Sequence, residues 1–464
     1  MKQPMRPPYT GGKTERYSSG ADDRADAMRD AIRNTSDQIQ VTGTCYYISY
    51  RGDDSADGLN PETAVRNIEE IRARASIMKP GDAVFFERGG VYRTVLDLNA
   101  VSGVTYAAYG TGEKPIISGS YCNYARTDIW QKHEENIWKI SYFPHRDAGV
   151  MVFDNGDSSG TKCGYYEDMN APGFFYHDHD QHTLYLYCAC NPAEKYHTID
   201  IGCMTRLLNI DSGNNIKVDN LHFYCTGLFG IQAGCNTHDV TVTNCTFDWI
   251  GGAFFTDCTN RFGNAVQFSG GCEHILIENC WFDQIFDTAA TFQMGGNPYR
   301  DFTLRGNLFE YTGMGGFEWW PNADWYAKGI PDDPTPVEDI TVEHNIFRQT
   351  GYGWSKTTRC PVHIRGTWAP KHYTNLKNIV IRENVFDCSA GYIFACAWES
   401  IPDAYRLENN EYYQKKTVKR KETDPGYPAF DMILGHPTFA DGQEQLETAV
   451  RQVEPCPKSV IWLE

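Results

Sequence analysis

Between Val218 and Tyr412 the chain repeats one short phrase: apolar residues in alternation, a corner containing asparagine, then a large aromatic. The phrases run Val218 to Phe223, Val242 to Phe247, Ile277 to Phe282, Leu304 to Phe309, Val342 to Phe347, Ile381 to Phe386 and Leu407 to Tyr412. The apolar period is two, as in Val240-Thr-Val242, Ile275-Leu-Ile277 and Ile340-Thr-Val342. That period specifies strands and excludes helical and leucine-rich repeats. The first apolar positions fall 24, 35, 27, 38, 39 and 26 residues apart, so the longer spacings carry insertions, which are loops. Units of this kind bury their apolar face only by stacking on their neighbours. The corner asparagine stands two residues after the apolar anchor in the early phrases (Asn220, Asn244, Asn279) and three after it in the next (Asn307, Asn345, Asn384). Asparagine tolerates a left-handed backbone, and its amide can bond along a stack of like corners.

A second strand follows each aromatic. Placing its apolar residues inward leaves two outward columns: Gln232, Gln267, Thr291, Glu318 and His363, and Ser269, Gln293, Trp320 and Arg365. Members of a column on adjacent rungs are in contact range, and this face is polar without being rich in lysine. Glu318 is its sharpest residue, lying in Gly315-Gly316-Phe317-Glu318-Trp319-Trp320, where small residues open space and Trp320 offers a flat surface to a sugar ring. Enclosure by aromatics suits an acid to proton donation, whereas Arg365 nearby suits it to act ionised, as nucleophile or base. A surface Glu318–Arg365 pair serving stability is the alternative.

The phrases "TVTNCTF", "LIENCWF", "TVEHNIF" and "VIRENVF", with the opening "YYISYRGDDSADGLNPETAVRNIEEI", resemble right-handed parallel β-helix proteins of the pectate-lyase-like superfamily, including bacterial β-helix glycoside hydrolases. The resemblance spans roughly residues 44 to 413. It implies an all-β fold: a right-handed parallel β-helix solenoid with a small β-sandwich-like insertion and short helical caps. It also points to the turn before the groove strand. There the polygalacturonase pattern carries an acidic pair whose catalytic aspartate aligns with Asp287, although Phe286 precedes it here. The Gly-His-Gly turn of that pattern becomes Gly313-Met314-Gly315, and its Arg-Ile-Lys strand matches His363-Ile364-Arg365 at best.

The flanks complete the organisation. Residues 1–43 form an extension with an amphipathic stretch from Ala25 to Ile39, expected to plug the open end of the solenoid. A second helix signal covers residues 62 to 76. Residues 44–413 form the solenoid, interrupted at 121–202 by alternating aromatic strands, and 414–464 close it with a helix at 443 to 453. The run His177-Asp-His-Asp-Gln-His182 reads as a hairpin turn, and Lys415 to Lys421 as a solvated loop. Long insertions flank the polar strand: Ala253 to Phe262 with Asp257 and Arg261, 321 to 336, 351 to 360 with Trp354, and 367 to 376. They describe a walled cleft.

Composition narrows the partners. A formal charge of -18 repels nucleic acid and anionic membranes, which favours a neutral oligosaccharide. No window is apolar enough to span a membrane, and the first twenty residues lack a signal-peptide core, so a cytoplasmic location is expected. Sixteen scattered cysteines read as reduced thiols, with Cys245 and Cys280 at one inward corner of successive rungs. No CxxC pair or calcium cluster is present, so neither metal nor cofactor is expected; self-association as a homo-oligomer stays open.

The function that fits is a glycoside hydrolase with two carboxylates. Glu318 and Asp287, with Asp257 in reserve, are the catalytic candidates; His363, Arg365, Trp320, Gln267, Gln293 and Trp354 are the substrate-binding ones. One alternative is a polysaccharide lyase, in which Arg365 neutralises a uronate and His363 takes a proton. The other is a non-catalytic carbohydrate-binding β-helix. A further outward column, Asp248, Asp283, Glu310, Arg348 and Asp387, mimics paired carboxylates but begins a turn.

Overall fold

The computed structural model describes residues 21–36, 39–142, 144, 146–254, 260–293, 297–320, 335–355, 376–398, 403–417, 423–433 and 436–463, with backbone only at 319–320, 394–398, 428, 430–433 and 436–437. The repeated apolar positions form strands that stack in parallel as three sheets. The first begins at Cys45–Ile48 and ends at Tyr405–Glu408; the second runs from Val91–Arg93 to Ser459–Leu463; the third holds Arg206–Asp211, Phe229–Ala233, Val266–Ser269, Thr288–Gln293 and Gly315–Trp320. One coil visits them in turn, as Thr237–Thr243, Thr246–Ile250 and Val266–Ser269 do. This is a parallel β-helix.

Register follows the phrase. The anchors Val218, Val242, Ile277, Leu304, Val342, Ile381 and Leu407 pair rung on rung. The aromatics from Phe223 through Phe247, Phe282, Phe309, Phe347 and Phe386 to Tyr412 stack inside at centroid separations of 5.0, 4.9, 4.8, 4.7, 5.4 and 5.3 Å. Rings at this spacing add to the burial that drives the stack.

The two asparagine spacings turn out to be two columns. The first is the bend itself, left-handed at Asn220, Asn244, Asn279, Gly306, His344, Glu383 and Asn409. The next residue points inward and makes a buried ladder. The Asn307 amide nitrogen donates to Asn345 Oδ1 at 3.0 Å, Asn345 to Asn384 at 3.0 Å and Asn384 to Asn410 at 3.1 Å. Cys280 continues this column: its backbone N–H donates to Asn307 Oδ1 at 2.9 Å, and its sulfur accepts from the Cys245 N–H at 3.4 Å. Cysteines among the described residues are free thiols. The ladder ends on Glu454, 1% exposed, which accepts from the Asn410 side chain at 2.9 Å and the Tyr412 hydroxyl at 2.7 Å.

Helix α1 spans Asp22–Arg33 and does not plug an open end. Its apolar stripe, Ala25, Met28 and Ile32, lies along the outer face of the second sheet against Leu308, Ile346 and Val385. The solenoid interior is already filled by rings, and these outward aliphatic residues are what the helix covers. Charges fix the docking: Arg24 pairs with Glu411 at 2.8 Å, Arg29 with Glu310 at 2.7 Å, and Asp22 with Arg348. Helix α2, Ile68–Arg74, is shorter than the stretch predicted from residues 62 to 76 because Pro61–Thr63 forms a separate 3-10 turn; it buries Ile68 and Ile71. Residues 121 to 202 include a five-stranded and a three-stranded sheet and a short helix α3, Pro192–Lys195. The sheets enclose Ile140, Phe175, Leu184 and Leu186 against Met151, Phe153, Ile199 and Ile201, as a sandwich does. Helix α4, Gln443–Val453, buries Leu446, Ala449, Val450 and Val453. Lys415 departs from the solvated-loop expectation: it ends a strand, is buried, and holds its ammonium 5.4 Å from the centre of the Tyr352 ring. No helix among the described residues is long and apolar enough to cross a membrane.

Candidate functional site

The third sheet carries the polar columns in the expected register. Asn209, Gln232, Gln267, Thr291 and Glu318 are successive partners, and Ser269 pairs with Gln293, which pairs with the backbone of Trp320. Two consecutive residues at the start of each strand face inward: Ala265 with Val266, and Ala289 with Ala290, both in the main core. Gly316 follows this rule. A Cβ there would sit 2.4 Å from the Phe347 ring, so this glycine makes room for the aromatic ladder inside and does not open space over the cleft.

The bend turns Asn264 and Thr288 outward beside the polar columns. Thr288 Oγ1 donates to Glu318 Oε2 at 3.2 Å, while its N–H donates to Asn264 Oδ1 at 2.9 Å. The Asn264 amide donates to Gln267 Oε1 at 2.7 Å, and Gln267 Nε2 donates to Ser269 Oγ at 3.0 Å. Glu318 is 2% exposed, Gln267 6% and Thr288 fully buried. One continuous network thus ties the carboxylate to two neighbouring rungs. Burying a carboxylate is costly unless hydrogen bonds compensate, and such a group on a polar face marks a functional candidate. Asn264 and Thr288 escaped sequence reading because strict alternation assigns neither of them to an outward column; a doubled small residue before each strand was the available signal.

Asp287 immediately precedes Thr288 and is half-buried, its N–H donating to Gly263 O at 3.2 Å and its carbonyl accepting from the Met314 N–H at 2.9 Å. Gln293 is half-buried at the strand's end, where its carbonyl accepts from the Tyr299 hydroxyl. Trp354 is placed differently from the sequence expectation. Its indole N–H donates to Gln284 O at 2.8 Å and its ring packs 5.1 Å from Phe286, so it is built into the wall and does not present a stacking face. Arg261 lies against the same wall, its guanidinium 4.6 Å from the Phe286 ring centre and bonded to the Gly252 carbonyl at 2.6 Å; burial pushes it down to about 10, which leaves it charged at neutral pH. Asp257, His363, Arg365 and the side chain of Trp320 lie outside the described residues.

Elsewhere the histidine run does form a hairpin, with His177 opposite Leu184. The hairpin also brings His177 and His179 to Asp147 of the facing sheet, with ligand atoms all within 4.8 Å. Lys162 closes this group by donating to both Asp147 oxygens. Burial alone would raise the Asp147 carboxyl; Lys162 and the two histidines hold it well below the usual carboxylate range. Lys162, His177 and His179 all pair with Asp147, so the carboxylate is the centre of an ion-pair network. The Gly-Asp-Asp turn spends its acids likewise: Asp53 accepts from Ser55, Asp54 from the Arg66 and Asn67 N–H groups, and Asp57 from Thr63. In the acidic column of the second sheet, Glu310 is held by Arg29 and Arg348 and accepts from the Trp281 indole at 3.0 Å, which accounts for it as a docking residue.

Strand order and register define the chain as a parallel β-helix. No family model matches it, and no curated protein does. Solved structures to which it is similar include the complex of XylC with xylose (14% identity over 83% of this chain and 71% of that one, TM-score 0.46). A protein described as a glycoside hydrolase matches at 10% identity over 90% and 96%, TM-score 0.42. Pectate lyase Pel9A matches at 11% identity over 84% and 74%, TM-score 0.36.

Proposed function

We propose that this protein is a glycoside hydrolase acting on neutral oligosaccharides, with Glu318 and Asp287 as its paired carboxylates. The observation that carries the reading is the burial of Glu318 on the outward polar column, bonded to Thr288, the residue next to Asp287. A carboxylate so placed is preorganised to give a proton to a glycosidic oxygen or to attack the anomeric carbon. The second carboxylate takes the complementary role, and water completes the cleavage. Gln267, Gln293, His363 and Arg365 are assigned to the substrate hydroxyls, Trp320 to the ring face, and Asp257 stands as the alternative second acid. Glu318→Gln is expected to reduce turnover of a nitrophenyl glycoside panel by about 10²- to 10⁴-fold with an unchanged melting temperature. Full activity in that variant removes Glu318 from the site.

The alternative reading is a polysaccharide lyase, in which Arg365 neutralises a uronate and His363 takes the proton. An unsaturated product absorbing in the near ultraviolet decides for the lyase. A binding protein without turnover would hydrolyse nothing in the panel and still retain sugar.

A further inference from the structure

The second sheet bears an open groove on its outer face, on a different sheet from the Glu318 column. Its volume is about 530 Å³, within the range of small-ligand sites. The floor is built by register. His222, Thr246 and Trp281 are successive partners, and beside them Asp248 pairs with Asp283 on the next rung. Three separate parts of the chain make the walls: Arg33 at the end of α1, Glu113 and Lys114 before the strand Ile116–Ser118, and the turn Asp154–Gly156 of the insertion. That turn is fitted closely to the floor. Gly156 has φ 103°, and a Cβ on it would meet the Trp249 indole nitrogen at 2.8 Å.

We propose that this groove is a second carbohydrate site, which holds one or two sugar units of a neutral saccharide and does no chemistry on them. The inference does not depend on the function assigned to Glu318. Three features carry it. The first is the mixture of groups: carboxylates at Asp248 and Asp283 accept hydrogen bonds, whereas Asn155 and Thr246 both donate and accept, as a polyhydroxyl ligand requires. The second is a fixed aromatic. Trp281 is held by its bond to Glu310 and by the Arg29 guanidinium 5.4 Å from its ring centre, so it meets a ligand without first being ordered. The third is charge already answered within the wall: Asp248 is bonded by His222 at 2.7 Å and Glu113 faces Arg33 at 3.5 Å. Calcium takes six to eight oxygen ligands, and acids committed in this way do not form such a cage. Arg33 and Lys114 stand beside Glu113, Asp248 and Asp283 in the lining, so the groove carries only a small net charge, which suits a neutral ligand.

The test uses the full chain with glucose, galactose, xylose, N-acetylglucosamine, cellobiose and lactose as probes. Saturation-transfer NMR and tryptophan fluorescence report binding, and crystals soaked with the best probe locate it. Binding in the millimolar range, weakened at least about tenfold by Asp283→Asn and by His222→Gln and unchanged by Glu318→Gln, is the expected result. Nitrophenyl glycoside turnover stays at wild-type level in Asp283→Asn, and both groove variants keep the wild-type melting temperature. The proposal is overturned if no probe binds, if Glu318→Gln alone abolishes binding, or if calcium chloride or spermidine perturbs the groove tryptophans where no sugar does. Loss of turnover in Asp283→Asn with full activity in Glu318→Gln overturns it too, because the groove would then be the reaction centre. Failure of the Glu318 reading alone leaves the groove result standing.

Discussion

Thr288 shows how one side chain can decide the behaviour of another. Its hydroxyl is the donor to Glu318 and its backbone hangs on Asn264, so the carboxylate's position depends on a residue that itself has no chemistry to offer. Thr288→Val keeps the shape and removes the donor. We expect kcat to fall about tenfold or more, with Thr288→Ser restoring most of it, because a hydrogen bond to a charged group contributes about 1.5–3 kcal/mol. Equal effects of Val and Ser would make the contact a packing matter only. Asn345 poses the same question for stability. Its Oδ1 accepts from both the N–H and the side chain of Asn307, and its amide donates to Leu304 O and Asn384. Asn345→Ala strands several of these groups, with an expected loss of about 3 kcal/mol in urea unfolding. Cys280→Asn is expected to be tolerated, since it extends a column that already accepts asparagine four rungs running.

At the scale of elements, α1 is held by charge as much as by its apolar stripe. The Arg24 hydrogen bonds, opposed by burial and supported by Lys458, bring the Glu411 carboxyl down to about 2. A depressed folded value means that Glu411 stabilises fully above the unfolded carboxylate value of about 4.3. That contribution is lost as the pH falls from there through about 2. The urea midpoint should therefore drop across this window, and Glu411→Gln should flatten the drop. An unaltered slope in the variant would assign the acid sensitivity to other carboxylates. The amphipathic stripe of α1 was legible in Ala25, Met28 and Ile32. Its destination was not, because an apolar stripe states that something must cover it and leaves open which surface does.

Across the whole molecule, the solenoid transmits stability along its axis. The ladder from Asn307 to Asn410 ends on Glu454, so the last coils are locked by one carboxylate delivered from beyond α4. Repeat arrays respond to such changes locally, since each coil contacts chiefly its neighbours. Glu454→Ala is expected to speed amide exchange at 405–415 and 459–463 first, leaving 216–250 protected as before. Uniform loss of protection would show one cooperative unit in place of a stack of coils.

The chain's own pattern determined the architecture: a period of two with an aromatic and a bend in each coil allows only strands that stack in register, and the Phe223-to-Tyr412 column follows from it directly. The polar columns through Gln267 and Glu318 were legible for the same reason, since alternation is a property of each strand by itself. Tertiary structure decided the rest. The doubled inward residues that turn Thr288 towards Glu318, the flank chosen by α1, the return of Glu454 to Asn410 and the insertion turn that walls the groove over Asp248 and Asp283 all join residues far apart in sequence. Such meetings depend on where loops bring the chain back, and no local periodicity encodes that.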